Sequence, residues 1–256
     1  MPVDQTSGRP ILQAKGLTKE FQGFVAVKNV DFTVERGAVH ALIGPNGAGK
    51  TTLFNLLTNF LSPTRGAIVF NGADITKRPP AYVARLGLVR SFQISAIFPH
   101  MSALENVRVA LQRKRGDSYD FWRSKAVLDS LNEQCMALLE GVNIASFAHA
   151  PAGDLSYGRK RALELATTLA LDPMMLLLDE PTAGMGREDI DMVTTLIRKV
   201  SANRTILMVE HNLSVVASLS NRITVLTRGE ILAEGDYETV SKNPDVRRAY
   251  MGEAHV

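Results

Sequence analysis

The sequence contains almost no cysteine and no long hydrophobic run. Cys135 is the only cysteine among 256 residues, so an intrachain disulfide is excluded and a reducing compartment is expected. No stretch of about 18 apolar residues occurs, so we expect no membrane-spanning helix. The first ten residues carry no apolar segment, and we therefore do not expect a secretory signal there.

Charge of one sign is not in large excess either. The chain has 29 Lys and Arg against 26 Asp and Glu, which leaves a formal net charge of +3. With 45% hydrophobic and 21% charged residues, the composition is that of a folded globular protein and excludes global disorder. Such a small charge suits a mildly anionic partner such as a nucleotide, and we expect no nucleic-acid partner.

Hydrophobic periodicity alternates between strand and helix along the chain. Strands are predicted over residues 11–21, 25–34, 39–43, 66–70, 174–178, 205–209, 223–227 and 230–234. Helices are predicted over residues 50–60, 155–171, 190–200 and 213–219. Strands that alternate with helices indicate an α/β fold, and the first two strands indicate an added antiparallel β-layer.

One glycine-rich motif lies between the strand at 39–43 and the helix at 50–60. It matches the P-loop pattern G-x-x-x-x-G-K-[ST] in full and reads Gly44, Pro45, Asn46, Gly47, Ala48, Gly49, Lys50 and Thr51, followed by Thr52. Backbone N–H groups of such a loop point at phosphate oxygens, and the helix N-terminus adds positive potential. We expect Lys50 to reach the β- and γ-phosphates and Thr51 to bind Mg²⁺.

A second motif ends the apolar strand at 174–178. Asp179 follows that strand, and we expect its carboxylate to hold Mg²⁺ directly or through water. Glu180 comes next and would face the γ-phosphate, where it could orient and polarise the attacking water. The alternative is a strand that ends in two surface acids.

Together these motifs resemble the ATP-binding cassette (ABC) ATPases. Residues 155–159 read Leu-Ser-Tyr-Gly-Arg and resemble the LSGGQ signature of that family. By the same resemblance Gln93 corresponds to the Q-loop glutamine, His211 to the switch histidine and Phe21 to the aromatic residue that stacks on adenine. The resemblance implies ATP and Mg²⁺ as cofactors. It makes Glu180, His211, Lys50 and Gln93 catalytic, assigns metal contacts to Thr51, Gln93 and Asp179, and has Ser156 and Gly158 bind nucleotide.

Each of these single residues has a plainer interpretation. Ser156 can simply cap the helix that it begins, and His211 can be a core or capping histidine. Gln93 can be a surface amide and Phe21 a core side chain. The sequence also departs from the family at Tyr157, Arg159 and Gly186, which stand where a glycine, a glutamine and a D-loop aspartate are usual.

The resemblance implies one ABC ATPase domain over residues 1–256. In it, residues 10–90 and 156–235 form a P-loop core of RecA type with the β-layer, 91–155 a helical subdomain and 236–256 a C-terminal extension. Within the family the chain is similar to the larger ATPase of branched-chain amino-acid importers, through residues 155–161, 180–185 and 243–252. A urea or amide importer, a lipid exporter, a soluble ABC ATPase and a non-catalytic binding module are the alternatives.

Several partners are implied by the same resemblance. Two ATPase subunits, identical or paralogous, pack head to tail, with each nucleotide between one P-loop and the other signature. They drive integral-membrane permease subunits, and indirectly serve a solute-binding protein, from the cytoplasmic face of a prokaryotic inner membrane. Ile97 and Phe98 follow the Q-loop and are expected to contribute to the groove for the permease, or else to fold into the helical subdomain.

Overall fold

The structure is a computed structural model and describes residues 10–91, 97–115 and 131–251. The chain divides into two compact units. The first takes in the chain up to Arg90, Met174–Glu180 and the chain from Arg198 onward. The second comprises Ser91–Pro173 and Pro181–Ile197. The predicted subdomain boundaries at 155/156 and 235/236 stay predictions.

Strands and helices alternate along the described chain. The strands are β1 (Pro10–Phe21), β2 (Phe24–Glu35), β3 (Val39–Ile43), β4 (Arg65–Phe70), β5 (Ala73–Asp74), β6 (Leu88–Ser91), β7 (Met175–Asp179), β8 (Thr205–Val209), β9 (Arg222–Thr227) and β10 (Glu230–Gly235). The helices are α1 (Lys50–Leu57), α2 (Pro80–Arg85), α3 (Ala103–Arg115), α4 (Asn132–Gly141), α5 (Tyr157–Leu169), α6 (Arg187–Ser201), α7 (Leu213–Leu219), α8 (Tyr237–Lys242) and α9 (Pro244–Met251). The predicted α/β class and antiparallel layer are confirmed.

Two sheets share the core of the first unit. One is antiparallel, with strand order β2-β1-β4-β5, and the other has six strands in the order β10-β9-β3-β8-β7-β6. In the second sheet β3 runs parallel to β8 and β9, and β7 runs parallel to β8. Apolar side chains of both sheets join α1 in one cluster, in which Phe32, Phe54 and Phe70 are fully buried. Burial of such side chains is the main favourable term in folding.

Helix α1 is shorter than its periodicity predicts. The predicted helix runs to residue 60, but α1 ends at Leu57 and Asn59 takes a left-handed conformation at φ 58°. The Asn59 amide then donates to the carbonyl of Arg78 at 2.8 Å, which ties this turn to the segment before α2. Asparagine tolerates this backbone region better than most residues, so tertiary contacts end the helix early.

The second unit contains a small helical bundle. Helices α3, α4 and α5 pack against one another, and Cys135 of α4 is buried among them. Burial raises the pKa of the Cys135 thiol, which keeps it protonated and unreactive. Among the described residues, no helix combines the length and the apolar character that crossing a membrane requires.

Candidate nucleotide-binding site

The strand order places the chemically informative residues at one edge of the six-stranded sheet. β3, β8 and β7 are parallel neighbours, so their carboxyl ends meet at the same edge. The P-loop follows β3, His211 follows β8 by two residues, and Asp179 and Glu180 end β7. Ligands of open α/β sheets bind outside the carboxyl ends of the strands. The fold therefore brings these predicted residues together within the first unit.

The P-loop is held tightly by its surroundings. At Gly44, with φ 150°, an added Cβ would lie 2.0 Å from the backbone oxygen of Leu226, so only glycine fits there. The Gly229 amide donates to the Ala48 carbonyl at 2.9 Å, which fastens the loop to the β9–β10 turn. Gly49 is the N-cap of α1, and the first turn of that helix contains no acidic residue. The positive end of α1 is therefore uncompensated by charge from its own first turn.

Lys50 lies across this loop. Its ammonium donates to the carbonyls of Gly44 at 2.6 Å and Pro45 at 2.8 Å, and the residue is only 6% exposed. These two hydrogen bonds fix the direction of the side chain across the loop. Thr51 is exposed at the first turn of α1 and Thr52 is half-buried. These positions suit the predicted phosphate and metal contacts, which stay predictions.

Asp179 has a partner that the motif does not reveal. Its carboxylate, only 4% exposed, forms an ion pair with Arg90 of β6. The other terminal nitrogen of Arg90 donates to the Asn55 side chain of α1 at 2.5 Å. Arg90 is also stacked near the ring of Phe54, with its guanidinium carbon 5.7 Å from the ring centroid. One arginine thus joins the P-loop helix to the end of β7.

Glu180 and His211 are in direct contact. The Glu180 Oε1 and His211 Nε2 atoms are 2.8 Å apart, with side chains 25% and 46% exposed. Glu180 adopts φ 49°, a left-handed conformation that costs a non-glycine residue about 1–3 kcal/mol. Its N–H donates to the Val209 carbonyl at 2.9 Å, which holds that conformation. The Glu180 carboxylate and the His211 imidazole are therefore in hydrogen-bond contact at the carboxyl ends of β7 and β8.

Glu210 orders the turn that presents His211. This glutamate is 3% exposed, and its carboxylate accepts from the backbone N–H groups of His211 at 2.8 Å and Asn212 at 3.0 Å. Asn212 in turn caps α7 by accepting from the N–H groups of Ser214 and Val215. A carboxylate bound to consecutive N–H groups fixes the backbone on either side. Glu210 was not predicted from the sequence.

Phe21 is exposed beside the P-loop. It ends β1, pairs with Phe24 across the turn and is 41% exposed, so it is not a core side chain. Two residues after Phe24, the carbonyl of Ala26 comes within 2.5 Å of where a Gly49 side chain would begin. The hairpin end therefore lies close to the start of α1. The Lys19 ammonium lies over the Phe21 ring, 5.0 Å from its centroid, and the predicted stacking of this ring on adenine stays a prediction.

Ser156 begins α5 in the second unit, but its side chain does not cap the helix. Its backbone is extended, at φ −60° and ψ 162°, and its side chain makes no capping hydrogen bond. The residue is exposed. Gly158 is the second residue of α5 and packs against α6, where an added Cβ would be 2.3 Å from Asp189 Oδ1. Ser156 is thus the N-cap residue by position but not through its side chain, and its role in nucleotide binding stays a prediction.

Tyr157 connects this helix to the segment after Pro181. Its hydroxyl donates to the Ala183 carbonyl at 3.2 Å and accepts from Arg161 at 3.1 Å. Arg161 also pairs with the buried Glu164 at 2.8 Å. Arg159 lies over the ring of Phe147, 3.9 Å from its centroid. Two of the departures from the family pattern, Tyr157 and Arg159, therefore make specific contacts within the second unit.

Gln93 lies outside the described residues. Arg90, three positions earlier, was missed by motif reading, as were Asn55 and Glu210. The signal that could have found Arg90 is a charged residue directly after the buried pair Leu88 and Val89 in a short strand. Asn55 and Glu210 carry no such signal, because polar residues are ordinary both in a helix and after a strand.

A cavity of about 610 Å³ borders the outer side of the P-loop. Backbone and side chains of the loop form one wall, and β9, β10 and α9 form the rest. Its lining residues are Pro45, Asn46, Gly47, Ala48, Thr227, Arg228, Leu232, Asp245, Arg248 and Ala249. The volume is within the range of small-molecule sites. The C-terminal helix α9 thus lines a space next to the loop.

Comparison with known families gives two matches along the chain. Residues 27–183 match the family described as ABC transporter. Residues 230–256 match the family described as branched-chain amino acid ATP-binding cassette transporter. The second match covers β10 and the two C-terminal helices, including the part of α9 that lines the cavity.

Curated relatives match over nearly the whole chain. The high-affinity branched-chain amino acid transport ATP-binding protein BraF of Pseudomonas aeruginosa is 42% identical, with 96% of this chain and 99% of that protein covered. The corresponding protein LivG of Escherichia coli K12 is 38% identical with the same coverage. A probable LivG of Archaeoglobus fulgidus is 33% identical, over 94% of this chain and 95% of that protein.

Solved structures give the same result. The crystal structure of the ADP conformation of an ATP-binding cassette of an ABC transporter matches with a TM-score of 0.83 and 29% identity, over 95% of this chain and 99% of that one. A nucleotide-free cassette from an ABC transporter matches with a TM-score of 0.82 and 28% identity, over 94% and 99%. The predicted cassette fold is confirmed by this agreement.

Proposed function

Because this chain belongs to the ABC transporter family of ATP-binding cassette ATPases, we propose that it is the ATP-hydrolysing motor of an importer for branched-chain amino acids. The observation that carries the solute class is the near-complete match to proteins named for branched-chain amino acid transport. The separate match of residues 230–256 supports it, because that segment lies outside the general cassette match.

The first unit supplies the residues for nucleotide chemistry. The P-loop N–H groups and Lys50 bind phosphate oxygens and stabilise the charge that develops on the transferred group. Glu180, held by His211, orients and polarises the attacking water. Phe21 offers its exposed ring to adenine, and Gln93 is proposed to contact the metal and the water.

The residues present fit a magnesium ion that arrives with the nucleotide. Mg²⁺ prefers oxygen ligands and is bound by one or two protein groups together with substrate phosphates. The Thr51 hydroxyl and the Asp179 carboxylate are such groups. Among the described residues no three His, Cys, Asp or Glu side chains are grouped so as to hold a metal ion by themselves. When bound, the ion neutralises phosphate charge.

A second ATPase subunit completes the site. The uncapped N-terminus of α5 at Ser156 is a surface that can accept an anion, and we propose that it binds the γ-phosphate held by a partner's P-loop. Loss of the γ-phosphate on hydrolysis would then open the dimer. The motor works at the cytoplasmic face of the membrane, bound to permease subunits that receive solute from a binding protein.

The motor is tested first with Glu180→Gln. Removing the carboxylate leaves ATP binding intact and prevents hydrolysis, so a closed dimer accumulates. Light scattering after gel filtration should show the 27.9 kDa mass doubling with Mg-ATP and not with EDTA. Lys50→Ala, which loses the phosphate contact, is the matched control and should stay monomeric. A constant mass with ATP bound would mean that the partner is a different ATPase subunit.

The solute class is tested by uptake. Cells that lack this chain should lose uptake of labelled leucine, isoleucine and valine, and wild type should restore it while Glu180→Gln should not. Urea uptake is the control. Normal leucine uptake together with lost urea uptake would contradict the proposed solute class but leave the ATPase assignment intact.

A further inference from the structure

The ion pair between Arg90 and Asp179 is a feature that the ATPase motifs do not explain. Both side chains are almost inaccessible, 12% and 4% exposed. Arg90 belongs to β6, the last strand of the six-stranded sheet, and Asp179 ends the neighbouring strand β7. An ionised carboxylate with so little access to water requires a compensating charge. Within the described residues, Arg90 is the ion-pair partner of Asp179.

Arg90 is also held from a second side. Its Nη1 atom donates to Asn55 Oδ1 at 2.5 Å, and Asn55 belongs to α1, the helix that begins at Lys50. Phe54 of the same helix lies under the guanidinium, at 5.7 Å from the ring centroid. A planar guanidinium can bind two acceptors at fixed angles, which a lysine cannot do. The orientation of the Asp179 carboxylate is therefore set by α1 through Arg90.

Asp179 is the carboxylate that the proposed function assigns to Mg²⁺. A carboxylate already bound by a guanidinium has one oxygen less available for a cation, and the guanidinium repels a second positive charge nearby. Arg90 and a divalent cation thus compete for the same group.

We propose that Arg90 is a positioning residue that holds Asp179 while no metal is bound and yields it when Mg²⁺ arrives with nucleotide. The proposal rests on the proposed function. It makes metal binding an exchange of partners: the Arg90–Asp179 pair breaks, and the restraint that Arg90 places on Asn55 of α1 changes with it. Arg90 is a positioning residue and not a catalytic one, because its contacts are with the side chains of Asp179, Asn55 and Phe54.

The test uses Arg90→Met, which keeps the length of the stem and removes the charge. The protein is saturated with a non-hydrolysable ATP analogue, and Mg²⁺ or Mn²⁺ is titrated in. Repulsion between two unit charges about 4 Å apart is worth about 1–4 kcal/mol near a protein surface, so the variant should bind the cation at least about tenfold more tightly than wild type. Arg85→Met, an exposed arginine of α2, is the control and should bind it as wild type does.

Thermal unfolding separates this role from a merely structural one. Arg90→Met leaves the buried carboxylate of Asp179 unpaired, so the unfolding midpoint of this variant should be lower than that of wild type in EDTA. Adding Mg²⁺ should raise the midpoint of the variant by more than it raises the midpoint of wild type. Arg90→Met with Asp179→Asn removes both charges. In EDTA this double variant should have a higher unfolding midpoint than Arg90→Met. Adding Mg²⁺ should no longer raise its midpoint by more than it raises that of wild type.

Other results overturn the proposal. A midpoint that falls equally with and without Mg²⁺, together with unchanged cation affinity, would mean that Arg90 only stabilises the fold. If Arg90→Met does not fold, Arg90→Gln replaces it. Glutamine also removes the charge while keeping a polar side chain, and it should likewise bind the cation more tightly than wild type. Wild type that fails to bind the analogue would remove the proposed function as well, which distinguishes the two failures.

Discussion

His40 shows how a single residue in the P-loop strand responds to burial. It is fully buried in β3, its Nε2 is 2.8 Å from the Thr224 hydroxyl, and the ring of Phe32 packs at 4.9 Å. Burial, together with the charge of Arg222, lowers the pKa of His40 from 6.5 to about 3. The imidazole is therefore neutral in the folded protein across the physiological range.

The stability of the protein should consequently fall in acid. Between pH 6.5 and about 3 the unfolded chain binds a proton at His40 that the folded chain does not, so the free energy of unfolding decreases as pH falls. Each unit of pKa difference corresponds to about 1.4 kcal/mol. His40→Gln should flatten the pH dependence of the urea midpoint in this window, whereas exposed His149→Gln should not. Parallel profiles for His40→Gln and wild type would contradict this account.

At the scale of elements, the phenolic hydroxyl of Tyr157 joins α5 to the segment after Pro181. Tyr157 stands where the family signature has glycine, and its hydroxyl bridges the Ala183 carbonyl and Arg161. In the proposed dimer both elements face the partner's nucleotide, so their relative position matters for turnover.

Tyr157→Phe tests this bridge, because it removes only the hydroxyl. A lost hydrogen bond is worth about 1 kcal/mol, so the ATPase turnover number should fall roughly three- to tenfold while nucleotide affinity stays the same. Steady-state kinetics with a fluorescent-nucleotide binding assay measure both quantities. Tyr237→Phe, at a similarly exposed tyrosine of α8, is the control. Equal turnover for wild type and Tyr157→Phe would show that the bridge is irrelevant to turnover.

At the scale of the whole molecule, Phe98 is one of the exposed large apolar residues, and the sequence places it in the predicted groove for the permease. Its ring is 53% exposed, while its backbone is fixed by the buried Asn106, which accepts from the Phe98 N–H at 2.7 Å and donates to its carbonyl at 3.1 Å. A rigid loop that presents an exposed phenyl group is typical of an anchor residue in an interface. Ile97 beside it is half-buried.

Phe98→Asp should weaken permease binding without unfolding the cassette. Loss of an aromatic anchor costs about 2 kcal/mol or more, or at least roughly thirtyfold in affinity. Co-purification of tagged cassette with its permease, alongside ATPase activity of the cassette alone, measures the effect. Phe60→Asp is matched in exposure, at 52%, and should bind normally. Undiminished permease recovery with folded Phe98→Asp would place the coupling surface elsewhere.

The nucleotide chemistry of this protein was determined by the sequence itself, because the residues involved are contiguous. Gly44 to Thr51 must follow one another to wrap a phosphate, and Asp179 and Glu180 must directly end a buried strand. Such local patterns can be recognised without knowing the fold, and the α/β class follows from periodicity in the same way. The helix end at Leu57 was less predictable, because contacts of Asn59 with a distant segment decide it.

Tertiary structure alone decided which distant residues meet. Arg90 and Asp179 are 89 residues apart and pair because β6 and β7 are neighbours in the sheet. Glu180 and His211 meet because β7 and β8 are parallel and end together. The sequence left two interpretations for both Phe21 and Ser156. Their exposure depends on which other parts of the chain pack nearby. Which residues pair and which are buried depends on contacts from the whole chain, and a local sequence pattern does not contain that information.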